Sequence, residues 1–138
     1  MPICSRTIRL AISRYAADMP LPTPAPDTVL LCYSTCPDAA SAQNIADALV
    51  GEQLAACVNQ LPGVRSTYRW QGAVTHDDEV LLLIKTTSTR LEALRRRLLE
   101  LHPYELPELI AVPMEQGNAA YLDWVRQSVT AERPATGP

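Results

Sequence analysis

The sequence predicts an α+β domain with ferredoxin-like element order, a β-α-β-β-α-β sandwich followed by an extra C-terminal helix. Apolar runs typical of buried strands alternate with segments whose leucines and alanines recur at helical spacing. Capping residues, prolines and glycines separate these segments. Such an order forms one antiparallel sheet with both central helices on the same face. The other face and two edges stay open, so we expect edge strands to pair with another subunit.

Size and charge are those of one ordinary globular domain. The 138 residues are 47% hydrophobic and 20% charged, with no phenylalanine, so leucine, valine, isoleucine and alanine must build the core. The net charge of −3 argues against nucleic acid as a partner, because phosphate backbones are bound by clustered lysine and arginine. The one dense basic run is Arg95 to Arg97. Three successive helical residues point in different directions around the helix axis, so we interpret them as solvent-exposed surface residues.

The N-terminal part is predicted to lie outside the folded domain. Residues 19–27 hold four prolines, which is typical of an extended linker. We expect residues 1–27 to form a loosely ordered or untranslated leader with this linker, residues 28–130 the domain, and residues 131–138 a flexible tail. The apolar stretch Leu10–Ile12 is too short for a secretory signal.

The first part of the domain is predicted to be a strand, a helix and a second strand. Thr28–Thr35 is a nearly continuous apolar run, and Asp38 then offers an N-cap for a helix that Gly51 ends. Leu54–Leu61 is the next predicted strand, and the pair Pro62-Gly63 indicates a turn. The inward face of the helix is predicted to carry Ala42, Ile45, Ala46, Leu49 and Val50.

The middle of the domain holds the most strand-like sequence. Val64–Trp70 alternates in polarity and ends at Gln71-Gly72. A polar connection, residues 75–79, then leads into the apolar strand Glu79–Thr87. The longest wholly apolar run, Val80–Ile84, is far too short to span a membrane, so no membrane partner is expected.

The last part of the domain is predicted to add two helices and one strand. Thr89 and Glu92 have the spacing of a capping box, ahead of a helix that ends near Pro103. Glu108–Met114 is the last predicted strand, and Asn118 caps a closing helix. The complete order is β-α-β-β-α-β-α. The inward helical residues are predicted to be Leu91, Leu94, Leu98 and Leu101, and then Leu122, Val125 and Val129.

The four cysteines, at positions 4, 32, 36 and 57, do not form a metal or disulfide motif. Cys32 and Cys36 share a strand at a separation of about 13 Å, too far for a disulfide or a common ion within one subunit. Reduced thiols in a cytoplasmic protein are therefore expected. Cys57, in an apolar strand without a basic sequence neighbour, is interpreted as a buried thiol, with a soft metal ligand or a nucleophile as alternatives.

His102 is one of only two histidines and lies where a helix ends ahead of Pro103. The helix dipole favours an imidazolium there, which would be a structural role. The alternative is an acid/base or metal-binding imidazole acting with Glu105 or Glu108, an incomplete ligand set unless another part of the subunit or a neighbouring subunit adds to it. The other histidine begins the run His76–Glu79, which is interpreted as a polar turn in preference to an ion site.

Lys85, the sole lysine, ends an apolar strand. A lysine in such a place is most often a surface group whose stem lies on apolar residues. The alternative is a compact charge in a pocket that holds an anion or a carboxylate. The GxGxxG, P-loop, GxSxG and HExxH signatures do not occur in the sequence, so the common nucleotide-binding and hydrolase motifs are excluded.

Several of these segments together resemble the CutA family of divalent-cation tolerance proteins. The resemblance lies in PDAASAQNIADALVGEQLAACVNQLPGVRSTYRWQG, then ExxLxIKTT, HPYELPE and GNAAYLDWV, which occur here in the family's order. It covers residues 29–129 and nothing in the first 27 residues. The resemblance implies a PII-like homotrimer of ferredoxin-like protomers, with strands extended across subunit boundaries. It also implies a link to tolerance of copper and other divalent metals.

The resemblance further implies a pocket between subunits and a set of residues around it. In the family, cysteines and the HPY histidine have been proposed to hold copper, which here points to Cys57 and His102, with Glu108 as a further helper. Two positions depart from the pattern: Ser34 and Leu101 stand where some members carry a cysteine and a second histidine. The pocket residues implied here are Asn59, Tyr68, Trp70, Lys85, His102, Tyr104 and Glu108.

The leading hypothesis is a non-enzymatic cytoplasmic homotrimer that binds Cu(II) or another divalent cation weakly through the three metal residues named above, with no cofactor tightly bound. The alternative is a PII-like trimeric sensor whose inter-subunit cleft binds a small anion or metabolite through Lys85, Tyr104 and Trp70. Two further hypotheses are an enzyme with His102 and Glu108 as acid and base, and a scaffold protein that acts mainly through the surface of its trimer. No catalytic residue is assigned.

Overall fold

The computed structural model describes residues 27–130, which form one sheet and three helices. The rest of the predicted leader, residues 1–26, and the predicted tail, residues 131–138, lie outside the described residues. Within the described range, no helix is long and apolar enough to cross a membrane. In chain order the elements are β1 (Val29–Cys36), α1 (Ala39–Gly51), β2 (Cys57–Trp70), β3 (Ala73–Thr87), α2 (Leu91–Leu101), β4 (Ile110–Pro113) and α3 (Ala119–Val129).

The four strands form an antiparallel sheet in the order β2-β3-β1-β4, which confirms the predicted ferredoxin-like α+β fold. Helices α1 and α2 cover one face of it, as predicted. The leucine stripe of α2 is confirmed, because Leu94 and Leu98 are fully buried there beside Leu30. Helix α3 covers part of the other face. Its Val125 packs with Val29, which neighbours Leu30 in β1 and therefore points to the opposite side of the sheet.

The predicted turn at Pro62-Gly63 is wrong. The predicted strands on either side of it are one strand, β2, of 14 residues. A register shift against β3 between Leu61 and Val64 makes this point a β-bulge. Gly63 has a φ of 80°, which suits a bulge as well as a turn, and so the same residue pair signals both.

The predicted polar connection at residues 75–79 is also wrong, because β3 begins at Ala73 and already includes it. Strands β2 and β3 thus form a long hairpin whose outer part, residues 64–79, we call the hairpin arm. It turns at Gln71 and Gly72, whose φ values of 49° and 80° suit a two-residue hairpin turn. The arm carries polar residues on both faces, and most of its side chains are exposed, whereas Glu79 at its base is buried.

The predicted capping box of α2 is not formed. Its N-cap is Arg90, which makes no side-chain capping hydrogen bond. Thr89 donates to Asp27 instead, with 2.8 Å between Oγ1 and Oδ1. Glu92 pairs with Arg95 at 2.8 Å, and this guanidinium holds the pKa of Glu92 at about 2. Both partners of the predicted box therefore have other contacts.

The other two predicted helix starts are confirmed. Asp38 Oδ1 accepts from the Ser41 N–H at 2.7 Å, and this hydrogen bond lowers the pKa of Asp38. Asn118 Oδ1 accepts from the Ala120 N–H at 3.2 Å. These caps set where α1 and α3 begin, and so fix how far each helix extends over the sheet.

The face of the sheet opposite α1 and α2 is only partly covered. Helix α3 covers it near Val29, whereas the outward residues of β4 remain exposed: Ile110 by 49% and Val112 by 43%. Their register partners on β1 point the same way and are half-buried. We call this surface the open sheet face, and it consists of Leu31, Tyr33, Leu81, Leu83, Ile110 and Val112.

Ser34, which lies in β1 on the core face, is fully buried, and its Oγ has no hydrogen-bond partner among the described residues. Because leaving a buried hydroxyl unpaired costs roughly 1–3 kcal/mol, Ser34→Ala is expected to raise the free energy of unfolding by about 1 kcal/mol in urea titrations. The control is Ser128→Ala, whose hydroxyl donates to the Trp124 carbonyl at 2.7 Å, so no gain is expected. A clear loss of stability in Ser34→Ala would contradict the expectation.

Candidate functional site

A cleft of about 700 Å³ lies between the hairpin arm and the segment that follows α2. The volume is that of a typical small-molecule site. Its walls come from the end of β1, from both strands of the arm, and from the segment 103–108 after α2. The side chains that line it include Thr35, Tyr68, Trp70, Asp77, Glu79, Tyr104, Glu105 and Glu108.

His102 lies behind this cleft and is only 7% exposed. It is the C-cap of α2, as predicted, with its backbone N–H bonded to the Leu98 carbonyl. Its Nε2 donates to the carbonyl of Thr35 at 2.8 Å, and its Nδ1 accepts the backbone N–H of Tyr104 at 3.1 Å. This pattern of hydrogen bonds requires a neutral ring with its proton on Nε2. The contacts therefore do not support the imidazolium that the helix dipole would favour.

Both nitrogens of His102 thus have partners within the protomer. A metal ion could take Nε2 only if the ring gave up the Thr35 carbonyl. The nearest sulfur is that of Cys36, 3.9 Å from Nε2. Burial raises the pKa of Cys36 to about 11, so this sulfur is a neutral thiol near neutral pH.

Tyr104 connects His102 to the acidic part of the cleft. Its ring centroid lies 4.9 Å from that of His102, and its hydroxyl donates to Glu79 Oε2 at 2.9 Å. Burial, and then this hydrogen bond, raise the pKa of Tyr104 well above its usual value. On the arm, Tyr68 likewise donates to Asp77, which raises the pKa of Tyr68. Both phenols therefore stay neutral as hydrogen-bond donors to carboxylates.

Glu108 is the one carboxylate of the predicted pocket residues. It is exposed, and its one described hydrogen bond comes from Thr35 Oγ1 at 3.4 Å. Trp70, on the arm, is 46% exposed and lines the same cleft. The structure thus brings together four of the predicted residues, namely Tyr68, Trp70, Tyr104 and Glu108, with His102 directly behind them.

The remaining predicted residues form a second cluster elsewhere on the sheet. Lys85 donates to Asn59 Oδ1, and its Nζ lies 3.8 Å from Cys57 Sγ. Lys85 and Cys57 are register partners, and Lys85 also faces Leu31 of β1. Four residues separate Leu31 from Thr35 along the strand, which is about 13 Å. Within one protomer, Cys57 and Lys85 therefore lie away from the cleft.

The run His76–Glu79 is divided by strand geometry, because successive side chains point to opposite faces. His76 Nδ1 lies 2.9 Å from Thr67 Oγ1, and Asp78 pairs with Arg65 at 3.4 Å. Asp77 and Glu79 point into the cleft. Across residues 27–130, no group of three or more His, Cys, Asp or Glu side chains is arranged to hold a metal ion.

Sequence reasoning missed Asp77 and Glu79 as cleft residues. Both fall within the predicted polar connection, where the direction of a side chain cannot be inferred. No local signal marks them, because residues 75–79 are all polar and residues 80–84 are all apolar, so polarity does not alternate along this part of β3. Cys36 was missed as the neighbour of His102, since 66 residues separate the two.

Comparison with known proteins places the chain in one family. A family model described as "CutA1 divalent ion tolerance protein" matches residues 30–128. A Thermus thermophilus protein named "Divalent-cation tolerance protein CutA" is 52% identical over 94 residues, which is 68% of this chain and 91% of that protein. The human protein named "Protein CutA" is 41% identical over 139 residues, covering 92% of this chain and 78% of that protein.

A solved structure supports the same relationship. The crystal structure of CutA from Xylella fastidiosa is similar to this chain with a TM-score of 0.73 and 51% sequence identity. The match covers 74% of this chain and 98% of that one. The matched share corresponds in size to the part of the chain that the structure describes.

Proposed function

The chain belongs to the CutA1 family of divalent ion tolerance proteins, and from this premise we propose that it acts as a non-enzymatic homotrimer that binds Cu(II) or another divalent cation weakly. The observation that carries the proposal is the exposed carboxylate of Glu108 at an acidic cleft, where it contacts Thr35, the residue whose carbonyl binds His102. Carboxylate and imidazole are both ligands that divalent transition metals accept.

The proposed ligands are Glu108, His102 and Cys57. Glu108 is available as it stands, whereas His102 has to exchange the Thr35 carbonyl for the metal. Cys57 lies in the other cluster, so it can join the same ion only from a neighbouring subunit. A metal site of high affinity is normally preformed and completely coordinated. Because only Glu108 is free and His102 has to break a hydrogen bond first, a low affinity for the metal ion is expected.

The homotrimer is proposed from the resemblance to the family and supported by the open sheet face. Its six apolar side chains form a contiguous surface along β1, β3 and β4. Exposed apolar patches of this kind usually mark a protein–protein interface. A second copy packed there would bury Ile110 and Val112 and place another protomer near the cleft.

The metal proposal is tested by titrating the full chain with Cu(II) in a calorimeter. Glu108→Gln and His102→Asn are each expected to weaken binding about tenfold, since each removes one of two or three ligands. Glu115→Gln is the matched control, because Glu115 is exposed and does not line the cleft. Unchanged affinity in both cleft variants would overturn the proposal.

An enzymatic role is not proposed. A general acid or base must exchange a proton with a substrate, whereas both nitrogens of His102 are occupied by backbone groups. We also propose a cytoplasmic location, which rests on the cysteine usage of the sequence. Neither a nucleic acid nor a membrane is proposed as a partner, because the net charge is −3 and the only dense basic run lies on a solvated helix.

A second candidate function, anion or metabolite sensing, is favoured by one observation on Lys85. Lys85 is half-buried as a residue, and the described partners of its ammonium group are the neutral Asn59 and the Cys57 thiol group. None of the described ion pairs includes it. Such a cation is suited to bind an anion that a neighbouring subunit's Trp70 and Tyr104 would enclose. A metabolite-dependent rise in melting temperature that Lys85→Ala abolishes, with Cu(II) binding intact, would favour this candidate.

A further inference from the structure

The cleft combines aromatic rings with carboxylates in a way that a metal site does not need. Three rings line it, those of Tyr68, Trp70 and Tyr104. The acidic residues of its wall outnumber the basic ones by four to one, with Arg69 as the single cation. The four acidic residues are Asp77, Glu79, Glu105 and Glu108.

Two of the rings are held in place by these carboxylates. Tyr104 donates to Glu79 and Tyr68 donates to Asp77, so each phenol directs negative charge toward its own ring. Glu79 itself is only 8% exposed, which is unusual for a carboxylate. Its one described hydrogen bond is the one from Tyr104, at 2.9 Å, so in the described part of the chain its charge is not neutralised by a cation.

The carboxylates surround the cleft and do not converge on one point. For the described residues, no three metal-binding side chains come together. A small hard cation needs such convergence, whereas a large cation with diffuse charge is attracted by several separated carboxylates and by ring faces. Aromatic cages recognise quaternary ammonium groups in this way.

We propose that the cleft binds a small organic cation with a methylated or quaternary ammonium group. The ammonium head would lie against the rings of Trp70 and Tyr104, with Glu79 and Glu108 supplying the opposing charge. The inference concerns the same cleft as the proposed metal function and gives it a second class of ligand. The proposed cation site consists of side chains of one protomer and requires no movement of His102.

The test compares two isosteric probes on the full chain by calorimetry: choline, which is charged, and 3,3-dimethylbutan-1-ol, in which carbon replaces the nitrogen. Choline is expected to bind at least tenfold more tightly. Trp70→Leu is expected to weaken choline binding about tenfold, while Trp124→Leu has no effect. The two tryptophans make a matched pair, because each is 46% exposed but Trp124 is in α3, outside the cleft. Equal affinity for the two probes, or equal effects of the two variants, would overturn the inference.

Two further titrations separate this inference from its alternatives. Cu(II) binding should survive Trp70→Leu and be weakened by Glu108→Gln. If the unmodified chain binds Cu(II) but not choline, only the inference is overturned. If it binds choline but not Cu(II), only the metal proposal is overturned. A peptide containing trimethyl-lysine is the other probe. If it binds tenfold more tightly than choline, the occupant is a protein side chain, and the small-molecule assignment is wrong.

Discussion

His102→Ala is expected to lower the free energy of unfolding by about 3 kcal/mol, because it leaves two backbone groups unpaired and a cavity behind a buried ring. The Thr35 carbonyl loses its bond from Nε2, and the Tyr104 N–H loses its acceptor Nδ1. Tyr104 also loses the ring it packs against, at a centroid distance of 4.9 Å. The change is measured by urea unfolding followed by circular dichroism.

Two further variants divide this loss between the two nitrogens. His102→Asn keeps a side-chain oxygen that can accept the N–H two residues later, and so should restore the Tyr104 contact only. His102→Gln reaches further and should restore the bond to the Thr35 carbonyl only. The free energy of unfolding of each variant is expected to be about 1 kcal/mol higher than that of His102→Ala. If His102→Ala unfolds at the same urea concentration as the unmodified chain, the structural role of His102 is wrong.

Val112→Asp is expected to dissociate the proposed trimer into single chains. It places a carboxylate in the middle of the open sheet face, opposite Leu31 of β1. Burying an unpaired charge between subunits costs several kcal/mol, far more than one valine side chain contributes to association. Light scattering on the purified protein should therefore change from three chains to one chain of 15.1 kDa.

Leu99→Asp is the matched control for this prediction. Leu99 is 43% exposed, as is Val112, but it lies on α2 and not on the open sheet face. The control should keep the mass of the unmodified chain. A single-chain mass for the unmodified protein, or a trimer that survives Val112→Asp, would contradict the proposed role of this face.

The helices and strands could be predicted from the sequence because their signals are local. The leucine spacing of α2 and the caps Asp38 and Asn118 act within one or two turns, and the structure confirms them. The bulge at Pro62-Gly63 could not be distinguished from a turn, since a proline without an N–H and a glycine at positive φ suit both. Whether β2 continues past this point depends on its pairing with β3.

The candidate site was only partly predictable, because its contacts join distant parts of the chain. His102 and Thr35 are 67 positions apart, and Tyr104 and Glu79 are 25 apart. The resemblance to the family implied a set of pocket residues, but not that Lys85 and Cys57 form a cluster away from the cleft. That separation follows from the strand register, which the sequence does not reveal.

Binding of a divalent cation at the cleft is tested most directly by the anomalous diffraction of crystals soaked in dilute Cu(II). One anomalous peak per protomer is expected beside Glu108, and it should vanish in Glu108→Gln crystals soaked in the same way. A peak on the hairpin arm at His76 and Asp78, with no density beside Glu108, would show that the cation does not bind at the cleft.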